Sequence, residues 1–450
     1  EHPDISMESA WGKVWYESYD EPTYTWQSSS GNTDFEAKFS LVPLTFGTLK
    51  AAFFAMLLAA PLAICGAMYT AVFMSPALRT KVKPAIELMQ ALPTVILGCL
   101  AGLWLAPVVE GSLPGIFSVL IVTPIIILIC GFVWMQIPLE KRSRIPDGWA
   151  PIILIVPILL GGWASFALSQ PMELAFFGGD IRHWLEHSAG LKFDQRNSLI
   201  VGLVMGFAVI APIFSISEDA LFAVPRHITN GSLALGATQW QTLIRVVLPT
   251  ASPGIFSAVM IGFGRAVGET MIVLMATGNT PVMEWNIFEG MRTLSANVAV
   301  EMGEAEVGST HFRVLFLSAL VLFVLTFVLN TVAAVVRGRE ARRVAADPSD
   351  ARLHVARVNH HVVDGTPDGT FAALVDVFFA FGASGRGLRS RLLEGARRQI
   401  GAARAALLQA ALDSGLRPKS SLPWVAGSML SNGVTGSTDI VRPVAVGGRR

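Results

Sequence analysis

Charged side chains are scarce in this chain: Asp, Glu, Lys and Arg make up 15% of its 450 residues, whereas soluble domains carry about a quarter. A cytosolic globular enzyme is therefore not expected. The net charge of +1 provides no basic field, so we expect no nucleic-acid partner. The three cysteines form no Cys-x-x-Cys motif and support neither a zinc ribbon nor a disulfide framework. The P-loop motif Gly-x-x-x-x-Gly-Lys-Ser/Thr is also missing, so we expect no cofactor in this chain, and another polypeptide would have to bind ATP.

The chain has instead long apolar runs separated by short charged patches, a pattern typical of proteins that cross a membrane several times. A bilayer core about 30 Å thick requires about 20 apolar residues in helical conformation. The sequence therefore predicts an all-α transmembrane fold, a polytopic helical bundle surrounded by membrane lipid. The predicted spans are 51–74, 88–109, 115–136, 150–169, 198–217, 252–277 and 313–336.

The connecting loops predict an orientation. Lys and Arg occur in alternate loops, and the positive-inside rule places those loops in the cytoplasm. With seven spans, residues 1–50 are then outside and the tail 337–450 is cytoplasmic. The chain opens on Glu1 rather than Met, so we expect its natural start to lie upstream. The basic loop residues are Arg79, Lys81, Lys83, Lys141, Arg142, Arg144, Arg226, Arg245, Arg337, Arg339, Arg342 and Arg343.

The two ends of the chain differ from the apolar body 51–336. Residues 1–50 are polar and rich in Trp and Tyr, and we interpret them as an extracytoplasmic stub with an interfacial aromatic belt; a ligand-binding face is the alternative. In the tail 337–450, Arg largely replaces Lys. The stretch 386–415 fits a basic amphipathic helix on the anionic inner leaflet. A soluble appendage, or a foreign or frame-altered sequence, stays open as an alternative.

The loop 218–250 is the longest of the basic loops. Asn230 is a good N-cap residue, so we expect a helix to begin after it. Gly236 permits a tight turn, and a second helix would end at Pro249. Such a helical elbow is a natural docking site for a soluble partner.

This loop resembles the EAA loop of ABC-importer permeases, whose pattern is E-A-A, three residues, G, nine residues, I, one residue and L-P. Gly236, Leu248 and Pro249 match at the right spacing, whereas Asn230, Gly231 and Ser232 replace the E-A-A. The resemblance implies that these six residues couple the chain to an ATPase. The stretches 217–226, 233–242 and 264–271 are most similar to phosphate-specific permeases of the Pst type, C-like subunit, relative to which 110–197 looks inserted.

The resemblance implies the fold of the type I importer permeases and a place in the bacterial inner membrane. It also implies a transport role without enzymatic activity. The implied partners are a second permease subunit in a heterodimer, two ATP-binding subunits and an extracytoplasmic phosphate-binding protein. Sulfate, molybdate and phosphonate permeases share the elbow, so those anions stay open as alternatives to phosphate.

Arg265 and Glu269 are charged residues within the predicted span 252–277. A charge at the bilayer centre costs about 2.5–3.5 kcal/mol on insertion scales, so both should face the bundle interior. Four residues apart on one helix, they can pair. We interpret Arg265 as a contact for an anionic substrate, with Glu269 competing for it and Thr94 adding a hydroxyl. A purely structural salt bridge, and a backbone-bonded kink at Thr94, are the alternatives.

Two other functions compete with an ATP-driven importer. The residues His183, Glu186 and His187 fit the H-x-x-E-H pattern of one metalloprotease class, which would make the chain a membrane-embedded zinc protease. An exposed polar helix explains this pattern as well, and we assign no metal site. An ATP-independent secondary anion carrier is the other alternative.

Overall fold

The computed structural model describes residues 5–16, 19–29, 36–138, 150–224, 226–346, 351–363, 365–381, 385–414, 416 and 428. The predicted basic loop residues Lys141, Arg142 and Arg144 lie outside the described residues, as does the end of the tail, 429–450. Within the described part, the helices are joined by irregular segments, and the strands are β1 (Trp26–Gln27) and β2 (Lys38–Phe39), which pair antiparallel.

The helices before the elbow are α1 (Met7–Trp11), α2 (Val42–Val72), α3 (Pro76–Met89), α4 (Thr94–Gly111), α5 (Leu113–Gln136), α6 (Ala150–Ala167), α7 (Ser169–Phe177), α8 (Ile181–His187) and α9 (Ser198–Phe222). The later ones are α10 (Arg226–Ala234), α11 (Gln239–Gly268), α12 (Met271–Ala276), α13 (Leu294–Glu301), α14 (Thr310–Ala346), α15 (Ala351–Val363), α16 (Pro367–Phe381), α17 (Arg386–Ile400) and α18 (Ala402–Ala410).

Six described helices are long and apolar enough to cross a membrane, namely α2, α4, α5, α9, α11 and the first part of α14, Thr310–Val332. A seventh crossing is formed only if Ile153–Ala167 and Ser169–His187, bent by 45° against each other, count as one span. The predicted span 252–277 is wrong as a single helix, because α11 ends at Gly268. The first span begins at Val42 rather than at 51, since the polar residues Thr45, Thr48 and Lys50 are helical.

The chain folds into two compact units, and the first comprises residues 1–66, 73–213 and 261–329. In it, hydrogen bonds join several elements of the stretch 110–197, which the sequence predicts to be an insertion. The backbone N–H of Gly115 donates to Ser169 Oγ at 3.1 Å, and the Glu110 carboxylate accepts from Arg182 Nη1 at 2.6 Å and Gln195 Nε2 at 2.5 Å. The first contact joins α5 to α7, and the others join the end of α4 to α8 and to the segment before α9.

The N-terminal segment of the first unit packs on the buried carboxylate of Glu301, which is 4% exposed. One oxygen of Glu301 accepts from Trp26 Nε1 at 3.1 Å, Ser28 Oγ at 2.8 Å and Arg292 Nη2 at 2.5 Å. The other oxygen lies 2.7 Å from His311 Nε2. Trp26, which the sequence suggested as part of an interfacial belt, is therefore a buried packing residue.

The second unit comprises residues 67–72, 214–260 and 330–450, and it contains the elbow and the tail. The stretch 386–415 is not one amphipathic helix, because the chain breaks at Gly401 (φ 82°) between α17 and α18. The apolar side of α17, including Leu393 and Ile400, is buried in a core formed by the tail's own helices. That side is consequently not available to insert into lipid.

Candidate substrate pathway and coupling elbow

The first unit contains an interrupted membrane helix, where α11 ends at Gly268 and α12 begins at Met271. The polar groups freed by the break find partners within the protein. The Glu269 carboxylate accepts from the backbone N–H of Ile272 at 3.4 Å, and Ser295 Oγ donates to the Glu269 carbonyl at 2.9 Å. Irregular backbone at membrane depth is tolerated only where protein or a water-filled cavity satisfies it, and discontinuous helices of this kind often form transport sites.

Arg265 and Glu269 are separated by this break, so the prediction that they pair on one helix face is wrong. Arg265 lies in the last turn of α11 and is half-buried. Glu269 lies beyond the helix end, and the two described side chains form no ion pair with each other. A cation at a helix C-terminus and an anion at a helix N-terminus both interact favourably with the helix dipoles. The break therefore stabilises each charge independently of the other.

The short helix α12 is held against α4 by two glycines that sequence analysis missed. A Cβ added at Gly98 would lie 2.7 Å from the Met271 carbonyl oxygen, and one at Gly102 would lie 2.4 Å from that of Met275. Only glycines allow two membrane helices to approach this closely, and the spacing is that of the G-x-x-x-G motif. Both contacts advance by four residues, so α4 and α12 run in the same direction. Thr94 lies one turn before Gly98, which places it towards the break.

A cavity of about 470 Å³ adjoins the break in the same unit. Most of its wall is apolar, and the hydroxyls of Thr270, Ser295 and Thr326 are the polar groups on its lining side chains. Such a wall offers few strong contacts to an anion, and neither Arg265 nor Glu269 is among its lining residues. The lining residues are Gly268, Thr270, Ser295, Val298, Ala299, Ala319, Leu322, Phe323 and Thr326.

Lys50 is a further charged residue in a membrane helix, and the sequence did not single it out. Its side chain is fully buried in α2, and Nζ lies 3.4 Å from the Glu289 carbonyl oxygen, which also accepts from Ser198 Oγ at 2.6 Å. Burial raises the pKa of the Glu289 carboxyl, and the nearby Glu284 raises it further. The sequence did contain a signal for Lys50, a single Lys at the edge of an apolar run, because charged residues in membrane helices are rare and usually have a functional or structural role.

The elbow in the second unit consists of α10, a turn and the start of α11. The predicted turn is present: Gly236 has φ 88°, which favours glycine. Asn230 is not an N-cap as predicted, because α10 begins at Arg226 and Asn230 lies within it. Thr238 is the N-cap of the second helix, α11, and its side chain accepts from the Gln241 N–H in a capping box.

Pro249 does not end the second helix, which continues to Gly268. A π-helical turn, Leu243–Val247, precedes the proline. Proline lacks an N–H and its ring clashes with the carbonyl four residues earlier, and a π-turn widens the backbone at such a point. Leu248 follows the π-turn directly, so the L-P pair marks a bulge in the helix rather than its end.

The surface of the elbow is exposed and apolar at its tip. Leu235 is 91% exposed and Trp240 59%, and Asn230, Gly231 and Gly236 are exposed as well. Ser232 is only partly exposed, and its hydroxyl lies 2.9 Å from that of Thr242, which joins α10 to α11. A projecting apolar tip on a hydrogen-bonded base is suited to docking on a soluble partner.

The metalloprotease pattern does not assemble a site in the described residues. The rings of His183 and His187 stack with centroids 4.0 Å apart, and His187 Nδ1 lies 3.2 Å from the His183 carbonyl oxygen. No group of three or more His, Cys, Asp or Glu side chains in the described part could hold a metal ion. The structure gives this alternative no support.

The sequence is similar to known transport proteins over half to two thirds of its length. It is 26% identical over 296 residues to a probable ABC transporter permease protein, YqgH, of Bacillus subtilis, covering 66% of this chain and 71% of the relative. It is 33% identical over 240 residues to the phosphate transport system permease protein PstC 1 of Mycobacterium tuberculosis, covering 50% and 71%. It is 30% identical over 241 residues to PstC of Mesorhizobium japonicum, covering 51% and 71%.

No solved structure matches the chain significantly. The family described as the binding-protein-dependent transport system inner membrane component matches residues 63–345, a range that includes the elbow, the helix break and the two glycines of α4. These observations confirm the predicted family and the all-α polytopic fold. The chain belongs to the family of inner-membrane components of binding-protein-dependent transport systems.

Proposed function

We propose that this chain is the permease subunit of an ATP-driven importer of inorganic phosphate. Family membership supports the transport role, and two relatives that are at least 30% identical are named phosphate transport system permeases. The observation that carries the proposal is the interrupted helix, which leaves the half-buried Arg265 without an ion pair to Glu269 beside a helix break. A guanidinium binds phosphate oxygens in a bidentate manner, so it suits this anion.

In the proposed pathway, phosphate contacts Arg265 at the end of α11, and Thr94 contributes a hydroxyl from the neighbouring helix. Glu269 follows the break and repels the anion from that side. Its charge keeps phosphate binding weak enough for release, even though it does not pair with Arg265. Movement of α4 and α12 together against the end of α11 would then change which side of the membrane can reach the anion, as alternating access requires.

The proposed partners follow from the elbow and the missing P-loop. Two ATP-binding subunits bind the ATP, and one of them docks on this elbow through Asn230, Gly231, Ser232, Gly236, Leu248 and Pro249. A second permease forms the other half of a heterodimer, and an extracytoplasmic phosphate-binding protein delivers the anion. In this arrangement the elbow and the tail are cytoplasmic, and the N-terminal segment is outside.

The direct test is ATP-dependent uptake of labelled phosphate into vesicles that contain the full complex. Arg265→Gln removes a charge-assisted hydrogen bond worth about 1.5–3 kcal/mol, so uptake at low phosphate should fall by about tenfold to a hundredfold. Arg313→Gln is the matched control, because Arg313 is exposed in the first turn of α14. It should leave uptake unchanged.

Three outcomes would contradict the proposal. Normal phosphate uptake in the Arg265→Gln variant would remove Arg265 from the pathway. Robust sulfate uptake without phosphate uptake in the wild-type complex would show that the anion is wrong, while uptake driven by an ion gradient without ATP would favour a secondary carrier.

A further inference from the structure

The C-terminal tail is a folded helical unit rather than a loose appendage. Its helices α15–α18 share a core in which Leu374, Phe378 and Leu393 are almost fully buried. Arg357 forms a buried ion pair with Asp376. Charges are buried in this way only where a partner satisfies them, so this pair fixes α15 against α16.

Helix α15 has a second face that does not contribute to the tail core. Val355 and Val358 belong to that core, whereas Ala356, Asn359 and His360 border a small cavity on another side of the helix. Residues at positions i, i+3 and i+4 form one stripe along a helix. The opposite wall of the cavity consists of small residues and one proline of α9 and α11: Ala220, Thr250, Ala251, Pro253 and Gly254.

One directed hydrogen bond fixes this contact. The side-chain amide of Asn359 donates from Nδ2 to the carbonyl oxygen of Ala223 at 3.1 Å. Ala223 is the first residue after α9, where the last carbonyls of a helix lack intrahelical partners. Asn359 therefore caps the end of a membrane helix from the tail.

The position of this contact links the tail to the elbow, because α9 leads into the elbow and α11 leads out of it. The two helices already touch: a Cβ added at Gly254 would lie 2.5 Å from Ala220 Cβ. α15 lies against both of them at the point where they meet. Any motion of the elbow that separates the last turn of α9 from residues 250–254 of α11 must also displace α15.

We propose that the tail is a built-in regulator that docks through Ala356, Asn359 and His360 on the junction of α9 and α11 and restrains the elbow. The restraint rests on the proposed function, since the elbow matters only if it transmits ATP-driven motion. The docking itself needs no ligand. When the tail is docked, the elbow moves only with its ATPase and substrate engaged; when it is displaced, ATP hydrolysis becomes less dependent on phosphate.

The test measures docking and coupling separately in the full-length chain. Thr250→Cys, in a background where Cys65, Cys99 and Cys130 are replaced by Ser, reports docking through its rate of labelling by a water-soluble maleimide. Asn359→Ala should speed labelling by about fivefold, the change expected from loss of one ordinary hydrogen bond.

Ala356→Leu places a larger side chain between α15 and the junction of α9 and α11, so it should speed labelling further. Its matched control, Ala403→Leu, changes an exposed alanine of α18, and Gln409→Ala removes an exposed amide from the same helix. Both controls should label like the parent. Resistance of the tail to protease shows that its core stays folded in each variant.

In the assembled complex, Ala356→Leu should raise phosphate-independent ATP hydrolysis several-fold, whereas Ala403→Leu should not. Unchanged labelling in both docking variants would overturn the docking, and faster labelling with unchanged ATP hydrolysis would overturn the regulatory role. Because labelling needs neither phosphate nor ATP, a wild-type complex that fails to import phosphate refutes the proposed function without affecting the docking result.

Discussion

The contact between Gly102 and α12 makes a sharp prediction about the helix break. A Cβ at this position would lie 2.4 Å from the Met275 carbonyl oxygen, so the two must separate by 0.6 Å to reach the 3.0 Å that real Cβ contacts respect. The obstacle is backbone, so α12 has to shift as a whole. We expect Gly102→Ala to destabilise the protein by about 1–3 kcal/mol, the usual cost of overpacking, and to lower phosphate uptake with it.

The assay is thermal unfolding of the purified protein in detergent, followed by uptake in vesicles. Gly111→Ala is the matched control, because Gly111 lies in the same helix with nothing within 4 Å of the added Cβ. Alanine there should be neutral or stabilising by about 0.5–1 kcal/mol. If Gly102→Ala unfolds at the same temperature as Gly111→Ala and transports equally well, the close packing of α4 on α12 does not hold the break in place.

Three further variants test other parts of the account. Burial raises the pKa of Glu289 from about 4.5, so the stability that its protonated form contributes is lost as the pH rises through the raised pKa. Glu289→Gln should therefore make the melting temperature less dependent on pH in that window, whereas Glu304→Gln should not. Arg292→Met removes the charged partner of Glu301 and should cost about 1.5–3 kcal/mol, seen as faster proteolysis of the N-terminal segment. Gly236→Ala forces a side chain into φ 88° at a cost of about 1–2 kcal/mol, and should weaken ATPase association in a pull-down while leaving the melting of the membrane helices unchanged.

The membrane fold could be read from the sequence because long apolar runs require helices in a bilayer. The ends of those helices could not. The apolar pattern continues through 252–277, but a break at Glu269 and Thr270 costs little when Ser295 and the Glu269 side chain satisfy the freed backbone groups. Hydropathy alone does not register such tertiary hydrogen bonds.

The sequence predicted that Arg265, Glu269 and Thr94 lie near one another, but not how they are arranged. Arg265, Glu269 and Thr94 lie on elements that meet near the break. The expected ion pair between Arg265 and Glu269, both of which the structure describes, is absent because the helix ends between the two charges. Gly98 and Gly102 were missed since glycines in an apolar run give no polar signal. At the elbow, the turn predicted at Gly236 is present, because a positive φ is a local property of glycine. The N-cap predicted at Asn230 was wrong, because it depended on where the helix α10 begins.

The most direct test of the central claim is the accessibility of Thr94 to each side of the membrane. In the Cys65, Cys99 and Cys130 replacement background, Thr94→Cys should react with a membrane-impermeant thiol reagent from one side in one nucleotide state and from the other side in the opposite state. Phosphate should slow the reaction, and sulfate should not. Equal reactivity in every nucleotide state, unaffected by phosphate, would contradict a substrate pathway at the helix break.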